Sequence, residues 1–406
     1  MIHAYQRIPL LYKIFAGMLL GALIGILLGP ESAILQPIGT VFLNLLKMAA
    51  LPLIIFNLIA GIASLSDGKV FGRVGIKIMF YYVLTTLFAM IIGLLAGSWF
   101  KPGVGFVLDG KYEGTVEKIP SFSETLINLI PSNIFKTLTE GRFDQIIIFS
   151  LLVGISILFL NKEDKDYLSN LFDKLTKLFS KLVGIVMGIA PLGVLALMAV
   201  TVGKYGPMLA GFLAKYLAAT YLSILLQIVL YTVLLVLFSR TKISFFYKNA
   251  LPLIATSLST SSSLASVPVS LNCADNLGIP RSISSFTIPL GSQVNKDGNG
   301  IMLALTFLFA SQAVGADLSL AILFKMILLG LVLTTGAGGV PGGGIVTIAI
   351  LVDAFGLPLE IVAIVAGVFA LIDMGLTMLN CLGDLVGSKI VAKQEEKRLP
   401  AHHAQT

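Results

Sequence analysis

Ionisable residues are scarce in this 406-residue chain, where Asp, Glu, Lys and Arg together make up 12%. Soluble domains carry about twice that share. Here 56% of residues are hydrophobic and the mean hydropathy is +0.95, more apolar surface than a soluble fold can hide, so the composition demands lipid. Histidine is confined to His3, His402 and His403 near the two ends, which removes histidine-based metal or triad chemistry from the apolar body and argues against an intramembrane zinc enzyme. The only cysteines, Cys273 and Cys381, lie in apolar surroundings, so they supply no disulfide framework and read as buried, unreactive thiols. A phosphate loop is also missing, because no glycine run ends in Gly-Lys-Ser/Thr after a strand.

Apolar runs are abundant. They recur at about 9–30, 40–65, 76–99, 145–160, 178–202 and 209–238, on the scale needed to cross a hydrocarbon core of ~30 Å. The first is too long, and too weakly flanked by small residues, for a removable signal peptide, and reads as a retained helix. The net charge of +7 sits in short connections beside these runs rather than on one face, so it reports topology and not nucleic-acid binding. With Arg7 and Lys13 in the cytoplasm, Lys69, Arg73 and Lys77 follow after two spans, Lys162 to Lys181 after four, and Arg240 with Lys242 after six. The tail, with Lys389, Lys393, Lys397 and Arg398, is equally basic. The positive-inside rule then predicts a multi-pass protein of the plasma (inner) membrane with both termini cytoplasmic. Residues 101–125 read as an extracytoplasmic loop and 161–176 as a charged cytoplasmic one.

After Arg240 the pattern changes. The polar run from Ser257 to Pro268 and the glycine run from Thr334 to Gly344 each interrupt an apolar segment at mid-length and share a Val-Pro step. Their flanks are too short to cross the membrane, so each predicts a re-entrant helical hairpin with its tip at membrane depth. A pair of broken segments of this kind points to a transporter's midplane site. The same region holds Lys296, Asp297, Asp373 and Asp384 within apolar context. A charge at that depth costs ~3 kcal/mol and marks function, although an interhelical ion pair that only fastens the bundle is the plainer reading for any one of them. Asp373, Thr377, Asn380 and Asp384 follow at spacings of four, three and four, along one face of one helix. That stripe offers a carboxylate for an ammonium group, a hydroxyl, a carboxamide for a carboxylate, and a second carboxylate for a cation. With helix N-termini at the hairpin tips, it suits a zwitterionic amino acid.

These residues resemble the glutamate/aspartate and neutral amino acid transporter family, the dicarboxylate/amino acid:cation symporters. The resemblance covers almost the whole chain. It includes the serine-rich first tip, Ser261-Ser262-Ser263, and the family's Asn-Met-Asp-Gly-Thr motif as Asn295-Lys296-Asp297-Gly298-Asn299. It continues through Gly-Val-Pro-Gly at the second tip and Asp-Met-Gly-Arg-Thr-Met-x-Asn-x-x-Gly-Asp as Asp373 to Asp384. It implies an all-α homotrimer in lipid, each protomer with eight transmembrane helices plus two re-entrant hairpins, working as an elevator. By that analogy residues 1–72 are scaffold helices 1 and 2, 73–100 is transport-domain helix 3, and 101–204 holds scaffold helices 4 and 5 with the extracytoplasmic loop. Residues 205–393 then complete the transport domain, with 394–406 as a cytoplasmic tail. Carried across, Asp373 holds the substrate's amino group and Asn380 its carboxylate, with Ser261, Ser262, Ser263, Gly339, Val340, Leu376 and Thr377 around them. Asn295, Asn380 and Asp384 would line one sodium site; Tyr82, Thr85, Thr86, Asn295 and Asp297 a second; and the carbonyls of Thr334, Thr335 and Ala337 a third.

Two departures bear on function. Acidic-substrate members hold the side-chain carboxylate with an Arg where this chain has Leu376, and between Arg240 and Arg398 the only arginine is Arg281. A desolvated carboxylate without its partner is costly, which predicts a neutral, apolar L-amino acid. The family's sodium-contacting methionine is here Lys296, whose ammonium about 4 Å from a sodium ion would repel it by ~4 kcal/mol at an effective dielectric of 20. Lys296, paired with Asp297 or Asp384, is therefore expected to reduce or replace sodium coupling, or to allow proton coupling. Otherwise its ammonium turns to the cytoplasmic vestibule and the cation sites stay intact. The alternatives are a sodium- or proton-coupled symporter of acidic amino acids or dicarboxylates, and a gated ion channel. No cofactor other than Na+ or H+ as coupling ion is expected, and no catalytic activity.

Overall fold

The computed structural model describes residues 10–63, 69–106, 130–140, 143–206, 208–336 and 343–396, and among them there are helices and no strand. Helix α1 (Leu10–Leu28) passes through a 3-10 segment (Gly29–Leu35) into α2 (Gln36–Ala63), and α3 covers Lys69–Phe100. A short α4 (Ile134–Thr139) precedes α5 (Phe143–Leu158), α6 (Lys162–Gly188), α7 (Ala190–Tyr205) and α8 (Met208–Ser239). Then come α9 (Ile243–Thr260), α10 (Ser263–Asn276), α11 (Arg281–Val294), α12 (Asp297–Ala313), α13 (Leu320–Gly336), α14 (Gly343–Ala354) and α15 (Glu360–Glu395).

Four stretches are long and apolar enough to cross a membrane, Tyr12–Phe42, Arg73–Phe100, Leu209–Ser239 and Glu360–Glu395. A fifth forms if α6 and α7, bent by 53° at their junction, count as one. The multi-pass, all-helical character expected from the composition is present. One local expectation is overturned: the charged stretch 161–176 is not a loop but the first half of α6. Asn161 caps it by accepting the Asp164 backbone N–H at 2.9 Å. Leu168, Leu171, Phe172, Leu175 and Phe179 then recur at helical spacing through the charges, an amphipathic pattern that overall polarity concealed. At the far end, Lys389 and Lys393 belong to α15 rather than to a tail.

Packing is closest where side chains vanish. Gly17, Gly21 and Gly25 of α1 lie against α7, and a Cβ on each would stand 2.4, 2.3 and 2.5 Å from the carbonyl oxygens of Pro191, Leu195 and Ala199. This small-residue seam is how helices approach in lipid, where no hydrophobic force draws them together. Helix α2 packs on α5, α6 and α7, which completes one group with α1. In the second group α3 rests on α12 and α8, and α15 contacts α8, α9, α10, α11 and α12. Its apolar window is 78% buried, against 22% for Tyr12–Phe42, so α15 is the axis around which the second group assembles. The groups meet where α15 passes α7 and α1, and where α13 and α14 rest on α2.

Candidate functional site

Two breaks in helical structure converge on α15. The first hairpin turns at Ser261, a non-glycine residue in the left-handed region (φ 47°, ψ 34°), where L side chains are strained. Ser262 then caps α10 by accepting the Ala265 N–H. The second break separates α11 from α12 at Asn295 and Lys296, which hold extended and irregular backbone (φ −79°, ψ 108° and φ −134°, ψ 51°). Unwound backbone at this depth frees carbonyls that something else must satisfy. The expected tip of the second hairpin, with Ala337, Gly339 and Val340, lies outside the described residues.

Lys296 answers for the second break. Its side chain is 2% exposed, and its Nζ donates to the Ser292 carbonyl at 2.5 Å and to the Ser263 hydroxyl at 3.2 Å. Among the described residues it forms no ion pair within 4.0 Å, so the pairing expected with Asp297 or Asp384 is not made. The reason is local geometry: the side chain folds back over the open end of α11, while Asp297 begins α12 and faces α3 and α8. The ammonium is buried among protein groups and not turned to a vestibule.

Asp297 is fully buried and held by neutral donors. Its Oδ1 accepts from Thr86 at 2.5 Å, and its Oδ2 from Tyr231 at 2.5 Å and Gln227 at 3.1 Å. Gln227 also donates to the Thr85 carbonyl at 3.1 Å. Among the described residues Gln227 Oε1 and Asn295 Oδ1 are buried without a hydrogen-bond partner. A carboxylate, amide oxygens and a threonine carbonyl are the ligand types that a small hard cation takes. Among the described residues no cluster of three His, Cys, Asp or Glu side chains exists for a transition metal.

The other expected cation set is assembled differently. Asn295 Nδ2 donates to Asp384 Oδ1 at 2.9 Å and to the Asn380 carbonyl at 3.3 Å, so an amide N–H2 stands between the oxygens assigned to an ion. Tyr82 donates to the Thr287 carbonyl at 2.9 Å. A Cβ on Gly291 would meet both its hydroxyl and Asp384 Oδ1, so Tyr82 Oη sits beside Asp384. Thr334 is buried, and the Thr335 carbonyl is taken by Asn57 of α2 at 2.9 Å.

Along α15 the stripe is present on one helix as expected. Asn380 accepts the Gly298 N–H at 2.7 Å and donates to Asn299 at 3.3 Å, so among the described residues one of its N–H bonds has no partner. Thr377 is buried, whereas Asp373 is partly exposed and makes no ion pair among the described residues. Leu376 is 1% exposed and tight against Gly298, where a Cβ would lie 2.5 Å from the Leu376 carbonyl oxygen. The Ser261 hydroxyl is buried without a partner. Arg281 is 78% exposed and fixed on Asp275 at 2.5 Å, far from any role in this stripe. Gln227 and Tyr231 were not singled out from sequence, although a lone Gln inside an apolar span is itself the signal.

A sequence profile described as the sodium:dicarboxylate symporter family matches residues 10–394. The chain belongs to that family. Similar relatives include the proton/sodium-glutamate symport protein of Geobacillus stearothermophilus, 32% identical over 404 residues covering 96% of this chain and 95% of its own. The proton/glutamate-aspartate symporter of Escherichia coli K12 is 30% identical, covering 96% and 94%. The C4-dicarboxylate transport protein 1 of Mesorhizobium japonicum is 33% identical, covering 94% and 82%. This symporter-family member is therefore a multi-pass membrane transporter of a cation-coupled kind, and its family is not one of enzymes.

Proposed function

We propose that the protein carries a neutral L-amino acid across the plasma (inner) membrane by an elevator motion, with fewer coupling sodium ions than its relatives because Lys296 supplies a fixed positive charge. The observation that carries the substrate assignment is Leu376, buried where acidic-substrate members place an arginine, with Arg281 held by Asp275. Asp373, free of ion pairs, takes the ammonium group. The remaining Asn380 N–H and the Ser261 hydroxyl take the carboxylate, and Leu376 with its neighbours favours an apolar side chain.

The coupling assignment is supported by Lys296, whose ammonium sits on a carbonyl and a hydroxyl as a bound cation would. The Asp297 set keeps oxygens suited to a mobile cation. Helices α1, α2, α5, α6 and α7 would form the trimeric scaffold, and α3 with α8–α15 the moving part, both termini facing the cytoplasm. Uptake into liposomes of alanine, serine, leucine and aspartate, with and without sodium and with an imposed pH gradient, tests this. Strong competition by aspartate alone would overturn the neutral assignment.

The printed names of the relatives favour a second reading, an acidic amino acid or dicarboxylate. It requires a cation other than Arg at the side-chain carboxylate, and Lys296 would have to leave Ser263 and Ser292 to provide it.

A further inference from the structure

At the border between α2 and the hairpin of α13 and α14, the Thr335 carbonyl that the resemblance assigned to a third cation site is instead taken by a residue of α2. Asn57 lies on α2, is 6% exposed, and its Nδ2 donates to the Thr335 carbonyl at 2.9 Å. Thr335 is the penultimate residue of α13, so its carbonyl is among the four at a helix end that have no donor within the helix. The Thr335 hydroxyl does not serve it, since that group turns back to the Val332 carbonyl at 2.8 Å. The donor comes instead from the other helix group.

The surroundings are apolar. Leu53, Leu58 and Ile59 flank Asn57 on α2, and Leu329 and Leu333 lie on α13, all buried. Elsewhere along the border, Met198 of α7 meets Gly367 of α15, where a Cβ would stand 2.9 Å from the methionine sulfur. Dispersion contacts of this sort are non-directional and tolerate many registers. An amide-to-carbonyl hydrogen bond is directional, and shifting the helices leaves two buried polar groups unpaired. Asn57 therefore distinguishes one register from the rest.

We propose that Asn57 is a latch: a scaffold residue that grips the open end of α13, holds the moving group in the register seen here, and must release each time that group travels. The proposal rests on the elevator reading above. Asn57 is a positioning residue, acting on the travel step and not on substrate affinity.

The test compares wild type with Asn57→Leu, which keeps the volume without the donor, Asn57→Asp, assayed at alkaline pH so that the ionised carboxylate keeps polarity without the donor, and Asn57→Gln, which restores it. In liposomes the maximal rate of alanine, serine or leucine exchange is expected to rise two- to tenfold in the Leu and Asp variants, with half-saturation unchanged within twofold and Gln nearer to wild type. In substrate-free protein, spin labels on α2 and α15 should show the present register losing population in the same two variants, a readout that stands even if none of these amino acids is carried. Unchanged register populations would overturn the latch, as would a shift in half-saturation without a shift in rate. Absence of any uptake by wild type would instead strike the proposed substrate. Should the Leu variant not fold, the Asp and Gln pair carries the same comparison.

Discussion

The Lys296 ammonium donates at 2.5 Å to the carbonyl of Ser292, four residues back, the oxygen that the Lys296 backbone N–H would take if α11 continued as an α-helix. The side chain thus replaces the hydrogen bond its own backbone gave up, and it brings a positive charge to a helix C-terminus, where the macrodipole favours one. A methionine at this position leaves that carbonyl open to an external cation.

Replacing Lys296 with Met should therefore make transport depend more steeply on sodium. Plots of substrate affinity against sodium concentration read the number of linked ions, and the expected change is an increase of one ion over wild type. Equal slopes in the two proteins would remove Lys296 from the coupling.

Leu376→Arg should bring acidic substrates into the pocket. Arginine binds a carboxylate through two parallel N–H bonds and carries a charge that Lys cannot match in that geometry. Aspartate uptake is expected to rise at least tenfold relative to alanine uptake. Because Leu376 is buried beside Gly298, overpacking by about 1–3 kcal/mol should accompany it, visible as a lower melting temperature measured without substrate.

How much of this was visible in sequence differs by residue type. The stripe from Asp373 to Asp384 was legible because charge inside an apolar run stands out and its spacing falls on one helix. The turn at Ser261 was legible for the same reason, as polar residues cut an apolar segment. The direction of the Lys296 side chain was not, because a break in the helix aims neighbouring side chains along backbone angles that spacing does not encode. Gln227, Tyr231 and Asn57 were passed over as single polar residues in ordinary spans; only the fold brings Gln227 and Tyr231 to Asp297, and Asn57 to Thr335. The first half of α6 was missed because averaging its charges hides its periodicity.

Glycines of one composition should divide sharply by position. At Gly21 an added Cβ meets the Leu195 carbonyl at 2.3 Å, whereas Gly184 in α6 has nothing within 4 Å. Gly21→Ala forces α1 and α7 apart and should cost about 1–3 kcal/mol. Gly184→Ala should be neutral or stabilise by about 0.5–1 kcal/mol through helix propensity. Thermal melting of the two variants in the same detergent reads the contrast, and equal melting temperatures would contradict the glycine seam.

Glu395 ends α15 and is 0% exposed, yet it pairs with Arg73 at 2.6 Å and Lys77 at 2.5 Å, both on the first turns of α3. A buried carboxylate on two cations fastens the ends of these helices, so its loss strands charge at both cations. Arg73 and Lys77 are 34% and 30% exposed, and water screens what they lose, which brings the expected cost of Glu395→Gln to roughly 1–2 kcal/mol. The loss should appear as earlier melting and faster hydrogen exchange in the first turns of α3, with the Asp297 pocket, farther along α3, still protected. Arg73→Met and Lys77→Met should each cost less than Glu395→Gln, because the carboxylate keeps one partner in either variant. If both single losses equalled it, the three residues would not act as one cluster.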